Sequence, residues 1–125
     1  MIIQAAISLG ELIDKITILR LKAQLITDPT RVKNVEVELE MLEDLQQNLV
    51  YDQTAIDPLE QQLYSVNREL WHIENYKRQC EQEQNFGDGF VLAARQVYLK
   101  NDQRALIKKQ INVSAGSTIV EEKSY

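Results

Sequence analysis

Apolar residues recur at spacings of three and four along most of this 125-residue chain, and only four glycines and two prolines interrupt them. This spacing follows the 3.6-residue turn of an α-helix, so each segment would place its apolar side chains on one face. A chain with so few turn-forming residues has a small number of long elements. The pattern predicts four helices and an extended tail, at residues 9–27, 31–50, 58–84, 89–112 and 113–125.

Short motifs mark where the first helix begins and ends. Ser8 opens the sequence SLGE, a capping box in which its hydroxyl accepts a hydrogen bond from the Glu11 N–H. Asp28 stands before a proline, and the residue before a proline is pushed out of helical backbone angles. The first helix should therefore end near Thr27. Residues 2–7 before it would form a short strand or an extended lead-in.

Similar signals predict the starts of the other three helices. Thr30 is the expected cap of the second helix. Asp57 followed by Pro58 predicts the start of the third, because aspartate is a favoured cap and proline suits the first helical position. The stretch NFGDGF at 85–90 predicts a loop, after which Asp88 would cap the fourth helix.

The apolar faces predict how the helices pack. The first helix has two such faces, and we expect both to be buried because a two-faced helix is central. Its main face is formed by Leu9, Leu12, Ile13, Ile16, Leu19, Ala23 and Ile26, and its second face by Ile18, Leu21 and Leu25. The second helix carries a seam of nearly heptad spacing, formed by Val32, Val35, Leu39, Leu42, Leu45 and Leu49. Long helices with short links predict an all-α, antiparallel four-helix up-down bundle in one domain over 1–125, with a small β-ribbon where the termini would meet.

Charge and composition exclude several classes of function. The formal net charge of −5 makes the protein acidic and disfavours nucleic-acid binding. No apolar run approaches the ~18 residues of a membrane span, and no signal peptide opens the chain. Cys80 is the only cysteine and His72 the only histidine, which excludes an intrachain disulfide and metal sites built from several imidazoles. We expect a cytoplasmic protein with no cofactor and no bound metal.

Polar or amphipathic residues interrupt the apolar stripes of three predicted helices. These candidate ligand-binding residues are Arg20 in the first helix, Asn67, Trp71 and Glu74 in the third, and Asn101, Arg104 and Lys108 in the fourth. Buried cations are unstable unless they are paired or ligated. Arg20, Arg104 and Lys108 would therefore gather around a bound carboxylate or phosphate. This interpretation predicts an anion-binding pocket between the three helices, with no residue assigned to catalysis.

A second interpretation of these residues needs no ligand. Arginine and lysine bury their stems and extend their charged ends to water, and Glu74 or Asp102 could pair with Arg104. The fourth helix could also turn Leu106 and Ile107 toward the core and leave the cations in water. A third interpretation is that the polar residues face a protein partner.

Acidic pairs on two helices are typical of Mg²⁺-dependent nucleotide pyrophosphohydrolases, which hold the ion between facing E-x-x-E and E-x-x-D motifs. Glu40 and Glu43 form one such motif, and Glu11 and Asp14 form the other. However, the first pair lies outside the leucine seam and the second lies opposite the main stripe of its helix. A solvated acidic face is the favoured interpretation of both.

Four stretches form a recognisable combination: SLGELIDKITILRLK at 8–22, VNRELWHIE at 66–74, VYLKNDQRALIKKQIN at 97–112 and EEKSY at 121–125. Together they resemble a family of short, mostly helical bacterial and phage proteins of unknown function. The resemblance covers nearly the whole chain. It implies a small, mostly helical domain and brings no established activity with it.

Two functional hypotheses follow from the sequence. The first is a non-catalytic module that works through protein contacts, as a homodimer or with a protein partner. It is favoured because the first helix is apolar on two faces, the second carries a seam of nearly heptad spacing, and no complete catalytic constellation is present. The alternative is binding or turnover of a small phosphorylated or carboxylated metabolite in the cationic pocket. The sequence decides neither the activity nor the ligand.

Overall fold

The computed structural model describes residues 1–124 and contains four α-helices. They are α1 (Leu9–Leu25), α2 (Pro29–Gln47), α3 (Gln53–Glu83) and α4 (Asp88–Ser114). The predicted all-α, four-helix fold is confirmed. Within the described residues there is no strand, so the predicted ribbon between the termini does not form, and residues 2–7 lead into α1 without regular structure. Tyr125, the last residue of the predicted tail, lies outside the described residues.

Ser8 caps α1 as the sequence predicts. Its backbone is extended and its hydroxyl accepts from the Glu11 N–H at 3.1 Å. The Glu11 carboxylate turns away from the cap and contacts Lys15 and Lys108. The helix ends at Leu25, before the predicted end, because the chain is already extended at the next residue as it approaches the proline that opens α2.

The third helix begins earlier than its Asp-Pro signal indicates. Asp52 is the cap, since its carboxylate accepts from the Ala55 N–H at 3.3 Å, and Pro58 lies inside α3. The predicted start at Asp57 is therefore wrong. A proline inside a helix removes one backbone hydrogen bond. The extra turn brings Ile56 into the core, where it is 1% exposed, and the burial of this side chain offsets that loss.

The starts of α2 and α4 differ from prediction by small shifts. Asp28 caps α2 by accepting from the Thr30 N–H at 2.9 Å, and Pro29 is the first helical residue. The predicted cap Thr30 is thus already inside the helix. Gly87 is the cap of α4, and Asp88 lies in its first turn, where a negative charge faces the positive end of the helix dipole.

Helix α1 occupies the centre of the packing. Its backbone approaches all three other helices, and α3 and α4 pack against each other along their length. Buried residues lie on both faces of α1, with Leu12 and Ile16 on the main face and Leu21 on the second. The main core cluster joins α1, α3 and α4 and comprises Ile13, Ile56, Leu63, Val66, Leu70, Ile107 and Ile111.

Helix α2 lies outside this three-helix core. Among the helices of the described chain its backbone approaches only α1, and none of its side chains is fully buried. The predicted seam is half-buried from Val32 to Leu42, whereas Leu45 and Leu49 at its end are exposed. None of the four helices in residues 1–124 is long and apolar enough to cross a membrane.

Gly10 allows α1 and α4 to approach closely. Its N–H donates to Oδ1 of the buried Asn112 at 2.7 Å. A β-carbon at Gly10 would lie 2.6 Å from the backbone oxygen of Lys108 and 2.8 Å from Asn112 Oδ1. No ordinary side chain fits there, so glycine at this position sets the distance between the two helices.

Gly10→Ala should lower the free energy of unfolding by about 2–4 kcal/mol. Overpacking typically costs about 1–3 kcal/mol, and the lost hydrogen bond adds about 1 kcal/mol. Urea denaturation measures this loss. Gly87→Ala is the matched control, because the nearest atom to its added β-carbon lies at an ordinary 3.4 Å. Equal losses in the two variants would contradict the close approach of α1 and α4.

Candidate functional site

A buried ion pair joins α1 to α4. The Asp14 side chain is 1% exposed and that of Arg104 is 30% exposed. Arg104 Nε donates to Asp14 Oδ1 at 2.9 Å, and Nη2 donates to Oδ2, so the contact is bidentate. These hydrogen bonds raise the pKa of Arg104. The expectation that Asp14 belongs to a solvated acidic face is wrong, because α4 covers that side of α1.

Helix α3 contributes to the same network through Asn67. Its amide Nδ2 donates to Asp14 Oδ1 and lies at the same distance, 2.9 Å, from Thr17 Oγ1. The Thr17 hydroxyl donates to the backbone oxygen of Asp14 at 2.8 Å. The buried Asp14 carboxylate of α1 therefore has partners from α3 and α4. No buried side-chain nitrogen or oxygen of the described residues is left without a partner.

Lys108 extends the network toward the C-terminal tail. Its side chain is 10% exposed, and Nζ lies 2.7 Å from Glu11 Oε2, 2.8 Å from Glu121 Oε2 and 3.8 Å from Asp14 Oδ2. Burial alone would lower the pKa of Lys108, but the hydrogen bonds to Glu11 and Glu121 outweigh it and raise that pKa. The hydrogen bond from Lys108 lowers the pKa of the Glu121 carboxyl.

A cleft of about 470 Å³ opens beside this network, between α1, α3 and α4. Its floor is apolar and includes Leu70 and Trp71, while amides and charged groups lie around it. The lining residues are Ile18, Leu21, Asn67, Leu70, Trp71, Glu74, Asn75, Arg78, Asn101 and Arg104. This volume falls within the usual range of small-molecule sites, which combine an apolar lining with a few polar groups.

The structure brings most of the sequence-predicted site residues together. Asn67, Trp71, Glu74, Asn101 and Arg104 all line this cleft. A smaller cleft of about 230 Å³ adjoins it. Its lining is Glu11, Asn101, Arg104, Ala105, Lys108, Glu121 and Lys123, so the two clefts share Asn101 and Arg104.

Arg20 lies elsewhere. Its Nη1 is 3.4 Å from Glu60 Oε1 and its Nη2 is 3.9 Å from Glu43 Oε2, and neither cleft includes it. The structure does not place the three predicted cations around one space. Arg104 and Lys108 share the Asp14 carboxylate, and Arg20 pairs with acidic residues of α2 and α3.

Asp14 and Arg78 are among the residues of the site that were not identified from the sequence. Asp14 continues the second apolar face of α1, since Ile18, Leu21 and Leu25 follow it at helical spacing. Its place on an apolar face was the feature of the sequence that indicated burial of Asp14. Arg78 is exposed on α3 at the rim of the cleft, and a single arginine on a polar face carries no comparable signal.

The acidic side chains on α2 remain at the surface. Glu40 is exposed and Glu43 is half-exposed beside Arg20, while Glu11 and Asp14 face α4. The two motifs of the pyrophosphohydrolase interpretation thus do not face each other: Glu43 pairs with Arg20, whereas Glu11 and Asp14 pair with residues of α4. Across residues 1–124, no three histidine, cysteine or acidic side chains come together in a way that could hold a metal ion.

Comparison with known protein families matches residues 3–125, nearly the whole chain, to one family. The chain belongs to the family of unknown function DUF6165. The resemblance inferred from the four sequence stretches agrees with this membership, and those stretches include the residues of the Asp14 network. Comparisons with curated proteins and with solved structures found no match.

Removing the buried charge at Asp14 should destabilise the fold. Asp14→Asn keeps the size of the side chain but leaves Arg104 without its counter-ion, and we expect a loss of about 2–3 kcal/mol on urea denaturation. This is below the roughly 3–5 kcal/mol for fully buried pairs, because Arg104 is partly exposed.

Arg104→Met combined with Asp14→Asn should lose less than the sum of the two single losses, because each change removes the other's partner. Glu122→Gln, at the exposed pair with Lys109, is the control and should leave stability nearly unchanged. Additive losses at Asp14 and Arg104 would show that the two side chains are not coupled.

Proposed function

We propose that this protein binds a small carboxylated or phosphorylated ligand in the cleft between α1, α3 and α4. The observation that carries the proposal is the cleft itself, which joins an apolar floor to Arg104, Arg78 and three asparagine amides. Apolar lining with a few convergent polar groups is the usual composition of a ligand site.

Arg104 is suited to hold an anion in a fixed position. Its Nε and Nη2 are held by Asp14, so the guanidinium is already oriented before any ligand arrives. Its Nη1 contacts Asn101 Oδ1 at 3.4 Å, longer than a normal hydrogen bond. That weak contact is readily exchanged for a ligand oxygen. Arg78 makes no ion pair or side-chain hydrogen bond with any described residue, and it adds a second cation at the rim.

The remaining lining restricts the rest of the ligand. Ile18, Leu70 and Trp71 offer an apolar surface for a flat or aliphatic body. Glu74, whose carboxylate lies 3.5 Å from Lys77 Nζ, repels a second anionic group at its end of the cleft. The ligand that fits therefore has one anionic end, an apolar body and a hydrogen-bond donor, such as a hydroxyl or an amine, near Glu74.

Trp71 gives a direct test, because it is the only tryptophan of the chain and lines the cleft. Titration with phenyl phosphate or benzoate should change its fluorescence and raise the melting temperature. Asn101→Asp should abolish both effects, since its new carboxylate would neutralise the free edge of Arg104.

Gln103→Glu is the matched control: it adds the same charge on an exposed position of α4 outside the cleft, and it should bind as the wild type does. An unchanged fluorescence with every anionic probe, or equal loss of binding in the two variants, would rule the proposal out.

We also propose that the protein self-associates through α4, which develops the protein-contact hypothesis of the sequence. Leu92, Leu99 and Leu106 are exposed on this helix and recur every seven residues, the spacing of a coiled-coil seam. A second copy offers a helix with the same spacing, so the occupant of this face would be α4 of another chain.

Sedimentation equilibrium tests this second function. Leu99→Glu should shift a dimer to monomers by placing a charge in the seam, with an unchanged circular dichroism spectrum. Gln47→Glu, exposed on α2, a helix whose backbone does not approach α4, controls for the added charge and should leave the dimer intact. A monomeric wild type at high concentration would refute self-association.

The cytoplasm remains the proposed location. It is supported by Cys80, which is a free and buried thiol, since free thiols persist in reducing compartments. Recovery of the native protein from the periplasmic or extracellular fraction of its source cells would contradict this location.

A further inference from the structure

The ammonium group of Lys108 is held by carboxylates of two different kinds. Glu11 and Asp14 belong to α1, and the packing of the helices fixes their positions. Glu121 comes from the tail that follows α4, has no regular secondary structure around it, and has a side chain that is 58% exposed. Of the two short contacts of Lys108, the one with Glu11 therefore lies between helices, and the one with Glu121 comes from the tail.

Lys108 has acidic partners within the helices. Asp14 is the counter-ion of Arg104, and Glu11 is shared between Lys108 and Lys15. Glu121 is a third carboxylate at this place, beside Lys123 of the same tail. Its removal leaves Lys108 with one short acidic contact to Glu11 and with N–H donors free for another acceptor.

A turn and ion pairs hold the tail in this position. Gly116 has a positive φ of 66° and ends α4, and the Ser117 N–H donates back to the Asn112 oxygen at 2.9 Å. Beyond that turn the ion pairs to the helices include Lys108–Glu121 and the exposed Lys109–Glu122, and Lys123 has an interaction of its own. Of the described tail residues beyond Ser117, only Val120 is even half-buried. Exposed contacts of this kind are weak.

The carboxylate of Glu121 lies where the anionic end of a ligand would fit. It lines the smaller cleft with Lys108, and this cleft shares Asn101 and Arg104 with the larger one. Asn101 and Arg104 thus lie on the border between the two clefts. At this border, the anionic group of a ligand whose body rests on Leu70 and Trp71 would meet the ammonium of Lys108 in addition to the free edge of Arg104.

We propose that Lys108 and Arg104 form the anionic subsite of the ligand cleft, and that Glu121 occupies this subsite until a ligand carboxylate or phosphate displaces it. The tail is then an internal competitor for the site. This inference rests on the proposed ligand-binding function and adds the position of the anionic group and a mechanism that regulates access to it.

The test uses the full chain, phenyl phosphate as the anionic probe and phenol as its uncharged counterpart. Glu121→Gln removes the competing charge and should tighten phenyl phosphate binding about two- to fivefold, the effect expected from losing one weak ion pair. Glu122→Gln makes the same change one residue later, on the exposed Lys109, and should leave the affinity unchanged. Trp71 fluorescence reports the dissociation constants.

Nuclear magnetic resonance of the tail amides gives an independent measurement. Saturating phenyl phosphate should shift the wild-type signals of residues 119–123 toward the positions that ligand-free Glu121→Gln shows. Phenol should produce no such shift. Binding of phenyl phosphate to the wild type with no tail shift and no gain in Glu121→Gln would overturn the subsite while leaving the cleft function intact. Failure of both proteins to bind phenyl phosphate would overturn the two proposals together.

Discussion

The buried Asp14 carboxylate is the constraint on which the arrangement of the helices depends. A carboxylate removed from water costs several kcal/mol unless charged and hydrogen-bonding partners surround it. Arg104 from α4 and Asn67 from α3 supply those partners. Each of these two side chains reaches the carboxylate only at one axial position and one rotation of its helix. Their contacts with Asp14 therefore specify the register and rotation of α3 and α4 relative to α1. The surrounding leucine and isoleucine side chains alone would specify them only weakly.

The same network borders the cleft beside the core. Asn67 and Arg104, which hold the Asp14 carboxylate, also line the space between α1, α3 and α4, together with Trp71 and Asn101. The polar groups that fix the packing thus also line the cleft proposed as a ligand site, so that the stability of the fold and the shape of the cleft depend on one network.

Most of the fold could be predicted from the sequence, because helix periodicity and the Ser8 cap are local properties. The start of α3 could not, since only the tertiary burial of Ile56 explains why Pro58 is tolerated inside a helix. For the site, polar residues in apolar stripes pointed to the right faces of the helices. Periodicity indicates which face of a helix is buried but not which helix packs against that face. For this reason the sequence could not show that Arg20 lies away from the cleft, although its pattern resembled that of Arg104.

The packing of α2 gives the molecule an uneven distribution of local stability. This helix contributes no fully buried side chain, and its backbone packs only against α1, with a hydrogen bond of 3.4 Å from Gln46 to Glu60 of α3. Its detachment therefore leaves the three-helix core assembled. We expect its amide hydrogens to exchange with solvent at a lower opening free energy than those of α3 and α4. Each opening uncovers the face of α1 that packs against α2, including Leu12, which lines one cleft with Leu45 of α2. This otherwise hidden surface then becomes transiently available to a chaperone, a protease or an exchanging copy of α2.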